Sequence, residues 1–398
     1  MDALTTPLPK NWEIKTFRDI STINQGLQIP ISQRLKAPTE HAKFYITIQA
    51  LNNRKEFEYI KTYNESVVCH KDDILMTRTG NTGMVITNIE GVFHNNFFKI
   101  NFDRTLINKD FLVYFLSLEQ TQKTILRKAG TSTIPDLNHN DFYSLSIPLP
   151  PLNEQIAIAN ILSDVDHYLY SLDALILKKE SVKKALSFEL LSQRKRLRGF
   201  NQAWQRVRLG TYKYRRGSFP QPYGNPQWYS DNGMPFVQVY DVGENFKLTQ
   251  KTKQKISKIA QPMSVFVPKN SVIITLQGTI GRVALTQYDC YCDRTILIFD
   301  NNTLNDVNKY FFVLSLFTKF EEEKRKADGS IIKTITKQTL KDFEIPLPPL
   351  NEQIAIANIL SALDNEIISL KNKKRQFENI KKALNHDLMS AKIRVLKK

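Results

Sequence analysis

The sequence predicts an α+β protein: two mixed α/β domains separated by two long antiparallel coiled-coil helices, with an internal pseudo-twofold repeat. Three observations predict it. A seventeen-letter stretch occurs twice, an apolar stripe without Gly or Pro follows each copy, and strand patterns precede each copy. Ile147 to Ser163 reads IPLPPLNEQIAIANILS, and Ile345 to Ser361 repeats it letter for letter 198 residues later. Chance does not produce such a run, so the chain contains a duplicated module. The same offset pairs Tyr114 to Leu118 with Phe312 to Leu316, Arg127-Lys128-Ala129 with Arg325-Lys326-Ala327, and Lys183 to Leu186 with Lys381 to Leu384. Near the amino ends the offset becomes 192, matching Trp12 with Trp204 and Phe17 with Leu209. Each copy therefore has a divergent part followed by a near-constant part. Two different ligands would require divergence, whereas a shared structural or docking role would produce constancy.

The divergent parts read as folded domains. In the first, KFYITIQAL (Lys43 to Leu51) alternates apolar and polar, and a buried-strand run at Asp73 to Met76 enters Thr77-Arg78-Thr79-Gly80-Asn81-Thr82-Gly83. The second has PFVQVYDV (Pro235 to Val242) and then VIITLQGTIGRVAL (Val272 to Leu285). In both, a strand runs into a turn with two glycines three apart. Amphipathic helices follow at Lys109 to Ala129 and Lys309 to Ala327, with Phe111, Phe115, Phe311 and Phe312 expected in the cores.

The constant parts read as long helices. Prolines at 148, 150 and 151 end a strand or open a helix, and Glu154 falls in a first turn, where the helix dipole favours an anion. The stripe then runs Leu162, Val165, Leu169, Leu172, Ile176 and, after a polar interruption, Val182, Leu186, Leu190. The second copy has Leu360, Leu363, Ile367, Leu370, Phe377, Ile380, Leu384, Leu388. Helices of about 45 residues would run roughly 65–70 Å and cannot bury such a stripe alone. The simplest partner for each is its twin, packed antiparallel as a spacer; the alternative is that each helix closes its own domain. Both distal halves are basic, which suits a solvated helix face, a DNA backbone or an acidic protein.

Composition narrows the function. The 398 residues suit two or three domains, and 41% hydrophobic with 24% charged residues fits an ordinary folded protein. No apolar run approaches the roughly 18 residues that span a bilayer, and the amino terminus lacks the apolar stretch of a secretory signal, which points to the cytoplasm. Cys69, Cys290 and Cys292 lack partners at metal-ligand spacing and read as reduced thiols. Fifty-six Lys and Arg against 39 Asp and Glu leave +17, so a polyanion is the natural partner; a merely solvated basic surface is the plain alternative. Candidate DNA-binding residues in the first domain are Arg78, Thr79, Asn81 and Thr82 of the glycine turn. Asn52, Asn53, His94, Asn95 and Asn96 are neighbouring polar groups able to read base edges. In the second domain the candidates are Gln277, Thr279 and Arg282, with Gln238, Arg294, Arg215, Arg216 and Tyr223. Arg is favoured because its planar fork matches guanine or phosphate, and Gly because backbone can then approach a ligand closely.

Catalytic signatures are missing. Asn225-Pro226-Gln227-Trp228 has Gln where an adenine methyltransferase motif needs Pro, Gly278 to Arg282 lacks phosphate-loop spacing, and Glu322-Glu323-Lys324 has no supporting acid after a strand. These absences favour a binding protein over an enzyme.

Over its whole length the chain resembles the specificity subunits of type I restriction-modification systems. The resemblance rests on the repeated PLPPLNEQIAIANIL with its long helix, QGTIGRVAL, the GSFPQPYG to PFVQVYDV region and the duplicated layout. It implies target recognition domains at 1–150 and 199–347 and spacer helices at 151–198 and 348–398. Each domain would read one half of a split, asymmetric site on double-stranded DNA, and helix length would set the unread gap. Two modification subunits, which bind S-adenosylmethionine and methylate adenine, would dock on the helices, and two restriction subunits would join for cleavage. The chain itself would hold no cofactor; ATP and Mg²⁺ also belong to the partners. Two rival readings are a stand-alone DNA-binding coiled-coil regulator and a DNA-modifying enzyme with unrecognised motifs.

Overall fold

The computed structural model describes residues 8–52, 57–243, 245–326 and 337–395. It divides into two compact units: Met1–Ala174 with Asn372–Lys398, and Leu175–Lys371. Each unit thus takes a part of both long helices, Leu152–Leu191 and Leu350–Met389, of 40 residues each. At 1.5 Å per residue each helix is about 60 Å long.

The first unit holds a four-stranded antiparallel sheet in the order Ser21–Gln25, Phe97–Phe102, Ile74–Thr77, Val85–Ile86. A five-stranded sheet follows the order Arg34–Leu35, Tyr59–Ile60, Lys43–Ile46, Gly91–Phe93, Val68–Cys69, with Lys43–Ile46 parallel to Gly91–Phe93. Glu13–Thr16 pairs with Ser146–Leu149, the strand that leads into the first long helix. Phe17, Phe98, Phe111 and Phe142 are fully buried beside Ile158 and Leu162 of the first long helix and Leu388 and Met389 of the second.

The second unit repeats this plan. Its sheets run Tyr214–Arg216, Ile296–Phe299, Val272–Thr275, Val283–Leu285 and Gln254–Ile256, Tyr229–Val237, Cys290–Cys292, Val265–Val267, again with one parallel pair in the second sheet. Gln205–Arg208 pairs with Glu344–Leu347 ahead of the second long helix. Phe311 and Phe312 are buried with Leu190, Leu191, Ile356 and Leu360.

Three expected elements differ. Only Lys43–Ile46 of the KFYITIQAL stretch is strand; Ile48–Asn52 is helical, because the Thr47 hydroxyl accepts the Ala50 N–H and turns the chain. Likewise Val239–Asp241 is a 3₁₀ turn, started by the Asp241 carboxylate accepting the Gln238 N–H. The helix expected over Lys109 to Ala129 is two, Lys109–Leu116 and Glu119–Ala129, and the Gln122 amide donates to the freed Leu116 carbonyl at 2.6 Å. Its counterpart Lys309–Lys326 is continuous; Ala327 lies outside the described residues.

In each unit the long helices lie antiparallel. In the first, Lys381 meets Asp166 and Lys374 meets Asp173; in the second, Lys183 meets Asp364 and Lys179 meets Glu366. Val182 and Ile380, expected on the apolar stripe, are about half exposed at 45% and 50%. The seam passes one residue beyond each, through the buried or half-buried Leu172, Ile176, Lys179, Lys183, Leu186, Leu190 and its counterpart Leu370, Lys374, Phe377, Lys381, Leu384, Leu388. Lysine stems cover the apolar surface there while their ammonium groups pair with acids of the facing helix.

The repeated Asn-Glu-Gln triplet is a set of joints. Asn153 and Asn351 cap the N–H of the following Glu, at 3.0 and 2.9 Å. Gln155 accepts the Asn108 N–H and donates to the Pro150 carbonyl; Gln353 does the same with Asn308 and Pro348. Glu154 is buried between the Trp12 indole N–H (3.1 Å) and Arg394 (2.9 Å). Glu352 sits between Trp204 (3.0 Å) and Arg196 (2.7 Å).

Candidate nucleic-acid interface

In both units the glycine turn is held by one internal scheme. The Thr77 and Thr275 hydroxyls donate to the carbonyls of Asn81 and Thr279 and accept the N–H groups of Met84 and Arg282. Gly83 and Gly281 close the turns by donating to the Thr77 and Thr275 carbonyls at 2.8 and 2.9 Å. Both have positive φ, 90° and 78°, and a Cβ there would strike Gln122 in the first unit or crowd Phe320 in the second. The turns are therefore seated on helices, with one rim outward.

A second turn abuts each. Phe97 N–H donates to the His94 carbonyl (3.0 Å) and Ile296 N–H to the Asp293 carbonyl (2.9 Å), leaving Asn95-Asn96 and Arg294-Thr295 at the two centres. These turns are tied to the glycine turns through Arg78 N–H on the Asn96 carbonyl (2.7 Å) and Leu276 N–H on the Thr295 carbonyl (2.9 Å). A third loop completes the edge at Gly26 and Gly217, where a Cβ would lie 2.2 Å from the carbonyl oxygens of Phe93 and Cys292. Three loops thus meet at the same topological place in both units.

The candidate side chains divide by exposure. Within the first unit Arg78 is ion-paired with Asp136 at 2.6 Å and stands over the Phe98 ring at 5.6 Å. Thr79 donates to the same carboxylate, and Thr82 is buried, donating to the Pro135 carbonyl at 2.7 Å. These three shape the turn, whereas Asn81 and Asn52 are exposed. Asn52 ends a helix whose Ile48 packs at Gly80, so it belongs to the same edge. Asn95 is half-buried, and its Oδ1 finds no hydrogen-bond partner. His94 accepts the Asn96 N–H on Nδ1 at 3.2 Å, and burial together with Arg34 holds its pKa below the usual value. Asn53 lies outside the described residues.

In the second unit Gln277, Thr279 and Arg294 are exposed on the edge. Arg282 donates to the Val242 carbonyl at 3.1 Å, joining the turn to the segment that carries Gln238. The Gln238 side chain accepts the Tyr240 hydroxyl. Tyr223 donates to the buried Asp293 carboxylate and lies under the Arg294 guanidinium at 5.3 Å; burial and that bond push its phenol above the ordinary range. Arg215 and Arg216 sit further back, on the strand leading to Gly217. Arg215 donates to the Phe266 carbonyl at 3.2 Å, and the buried Nε of Arg216 finds no partner.

Sequence reasoning passed over Asp136 and Asp293, the carboxylates that fix these loops, and Arg196 and Arg394, which pin the buried glutamates. The last two carried a signal, since they match at the 198 offset. Among the described residues no helix is long and apolar enough to cross a membrane, and no group of three His, Cys, Asp or Glu is placed to hold a metal ion.

Comparison with known proteins agrees with this duplicated plan. A specificity subunit of the type I restriction enzyme MjaVIII of Methanocaldococcus jannaschii is 25% identical, with 98% of this chain and 94% of the relative covered. The putative MjaX specificity subunit of the same organism is 26% identical over 98% and 95%. The fold matches the crystal structure of the type I S subunit from M. genitalium with a TM-score of 0.59 at 18% identity, covering 96% and 98% of the two chains. The HsdS subunit from Thermoanaerobacter tengcongensis matches with a TM-score of 0.51 at 19% identity, covering 99% and 100%. The type I restriction modification DNA specificity domain matches residues 9–184 and 222–379, and the chain therefore belongs to the type I restriction-modification specificity subunits, the non-catalytic components that give these systems their DNA specificity.

Proposed function

We propose that the chain reads an asymmetric, two-part site on double-stranded DNA, with the loop edge of each unit taking one half. The observation that carries this is the three-loop edge. It is built twice on matching backbone bonds, yet presents Asn52, Asn81 and Asn95 in one unit and Gln238, Gln277, Thr279 and Arg294 in the other. A common frame with unlike side chains suits two different half-sites. Arg78, Thr79, Thr82, Arg282 and Tyr223 act by shaping the edge, and Arg215 and Arg216 add positive charge behind it.

In this reading residues 1–150 and 199–347 are the target recognition domains, and 151–198 and 348–398 are the helical segments on which two modification subunits dock. Those subunits bring S-adenosylmethionine and the pocket for a flipped adenine. Two restriction subunits, using ATP and Mg²⁺, complete a cleaving complex in the cytoplasm. Methylome sequencing of a host carrying this chain with its modification subunit tests the reading. An uneven split motif with adenine methylated in each half is expected, and a palindrome or methylation without a consensus would overturn it.

A further inference from the structure

The turns His94 to Phe97 and Asp293 to Ile296 are equivalent. Each begins on a residue whose N–H meets a strand carbonyl at 3.0 Å, Ile46 or Val237, and each is tied at its third residue to the glycine turn. What differs is the second residue, exposed in one turn and half-buried in the other, and its support. In the second unit Asp293 is buried and accepts the Arg294 N–H (2.7 Å), the Thr295 hydroxyl (2.8 Å) and the Tyr223 hydroxyl. Tyr223 in turn holds the Arg294 guanidinium from one face, so an exposed fork is kept in one orientation. In the first unit the second residue is Asn95. Its carbonyl accepts from Gln25, but its side-chain Oδ1 is turned inward without a partner, an arrangement that a ligand could relieve.

We infer that Arg294 and Asn95 are equivalent specificity-determining residues, Arg294 selecting a guanine in one half-site and Asn95 an adenine in the other. The Arg fork matches guanine O6 and N7, and the Asn amide matches adenine N6 and N7. Asp293 and Tyr223 are positioning residues for the first of these contacts. The assignment rests on the two-part reading above and adds the chemistry at one base pair of each half.

Selection from a pool of random-sequence 40-base-pair duplexes by the full chain bound to its modification subunits tests it. The wild type should enrich a two-part motif. Arg294→Ala should make one G·C pair indifferent, lowering its preference by roughly 5- to 150-fold, with every other position kept. Asn95→Ala should do the same for one A·T pair in the opposite half. Arg294→Gln, two bonds shorter but ending in an amide that matches adenine, should move the preference at its pair from guanine towards adenine. Even weakening across all sequences, relaxation of a pair of the wrong type, or an unchanged motif would overturn the inference while leaving the two-part reading standing. Failure of the wild type to enrich any two-part motif would sink the parent reading instead.

Discussion

Glu154 and Glu352 are almost completely buried, and each is matched to an Arg and a Trp indole, so the two sites are the same device made twice. A buried carboxylate is tolerated when it is paired and hydrogen-bonded, and removing one partner strands the other. Glu154→Leu should therefore destabilise the first unit and Glu352→Leu the second, each by about 3 kcal/mol, visible as a lower midpoint in denaturant titration followed through tryptophan fluorescence, from Trp12 in the first unit and from Trp204 and Trp228 in the second. Equal midpoints for mutant and wild type would show the pair to be idle. His94 gives a second test. Its pKa is lowered from 6.5 by burial, with Arg34 adding to the effect and the Tyr45 ring packed against it, so the fold holds it neutral. The stability it supports is complete above pH 6.5 and lost as pH falls through the lowered folded value, when Nδ1 takes a proton and the Asn96 N–H loses its acceptor. Thermal midpoints of the wild type should drop on acidification through this range more steeply than those of His94→Gln, and parallel curves would refute the role. The repeat shows that Trp12 and Trp204, Glu154 and Glu352, and Arg196 and Arg394 correspond, but not that each set comes together. Trp12, Glu154 and Arg394 are far apart along the chain, and nothing in the sequence favours the Asp293 carboxylate over its neighbours.

The long helices are charge-sorted along their length: the proximal halves carry acids (Asp166, Asp364, Glu366, with Asp173 just past the midpoint) and no lysine, and the distal halves carry the lysines. Antiparallel packing sets each acidic half beside a basic one, whereas parallel packing would oppose like charges. The basic runs, which alone suited a solvated face, DNA or an acidic protein, thus supply seam partners. Lys183 and Asp364 are each only 17% exposed at the side chain, and Tyr310 donates to the same carboxylate, so this pair should couple strongly. Lys183→Glu should cost about 2 kcal/mol, and adding Asp364→Lys should recover part of that loss, a coupling read from a double-mutant cycle in urea. Additive single effects would rule it out. The helices themselves were legible because each of two identical letter strings leads into an apolar stripe without Gly or Pro, which leaves few alternatives. The seam was read one residue off at Val182 and Ile380, since a hydrophobic pattern does not predict that lysine stems will replace it. Short elements such as Ile48–Asn52 escaped because a single side-chain cap at Thr47 overrode the strand alternation.

For the whole chain, the net charge of +17 makes binding to DNA salt-sensitive, with a log–log slope of roughly −0.9 for every phosphate neutralised. Arg215→Ala should flatten that slope by about one, whereas Arg294→Ala, as a base reader, should leave it unchanged; fluorescence anisotropy across a salt series separates the two. The chain path has a further consequence. The first unit is discontinuous, closing on Asn372–Lys398, which brings Leu388 and Met389 into its core, the Lys381 ammonium to Asp166 and Arg394 to Glu154. Losing two buried large side chains alone costs several kcal/mol, comparable to the whole stability of many domains. Ending the chain after Lys371 should therefore unfold the first unit, which lies far away in sequence. Amides in Phe97–Phe102 and Lys109–Leu116 should lose hydrogen-exchange protection, while those in Val272–Thr275 and Ile296–Phe299 keep theirs. Protection lost only in the second unit would contradict the discontinuous assignment, because that unit contains none of the deleted residues.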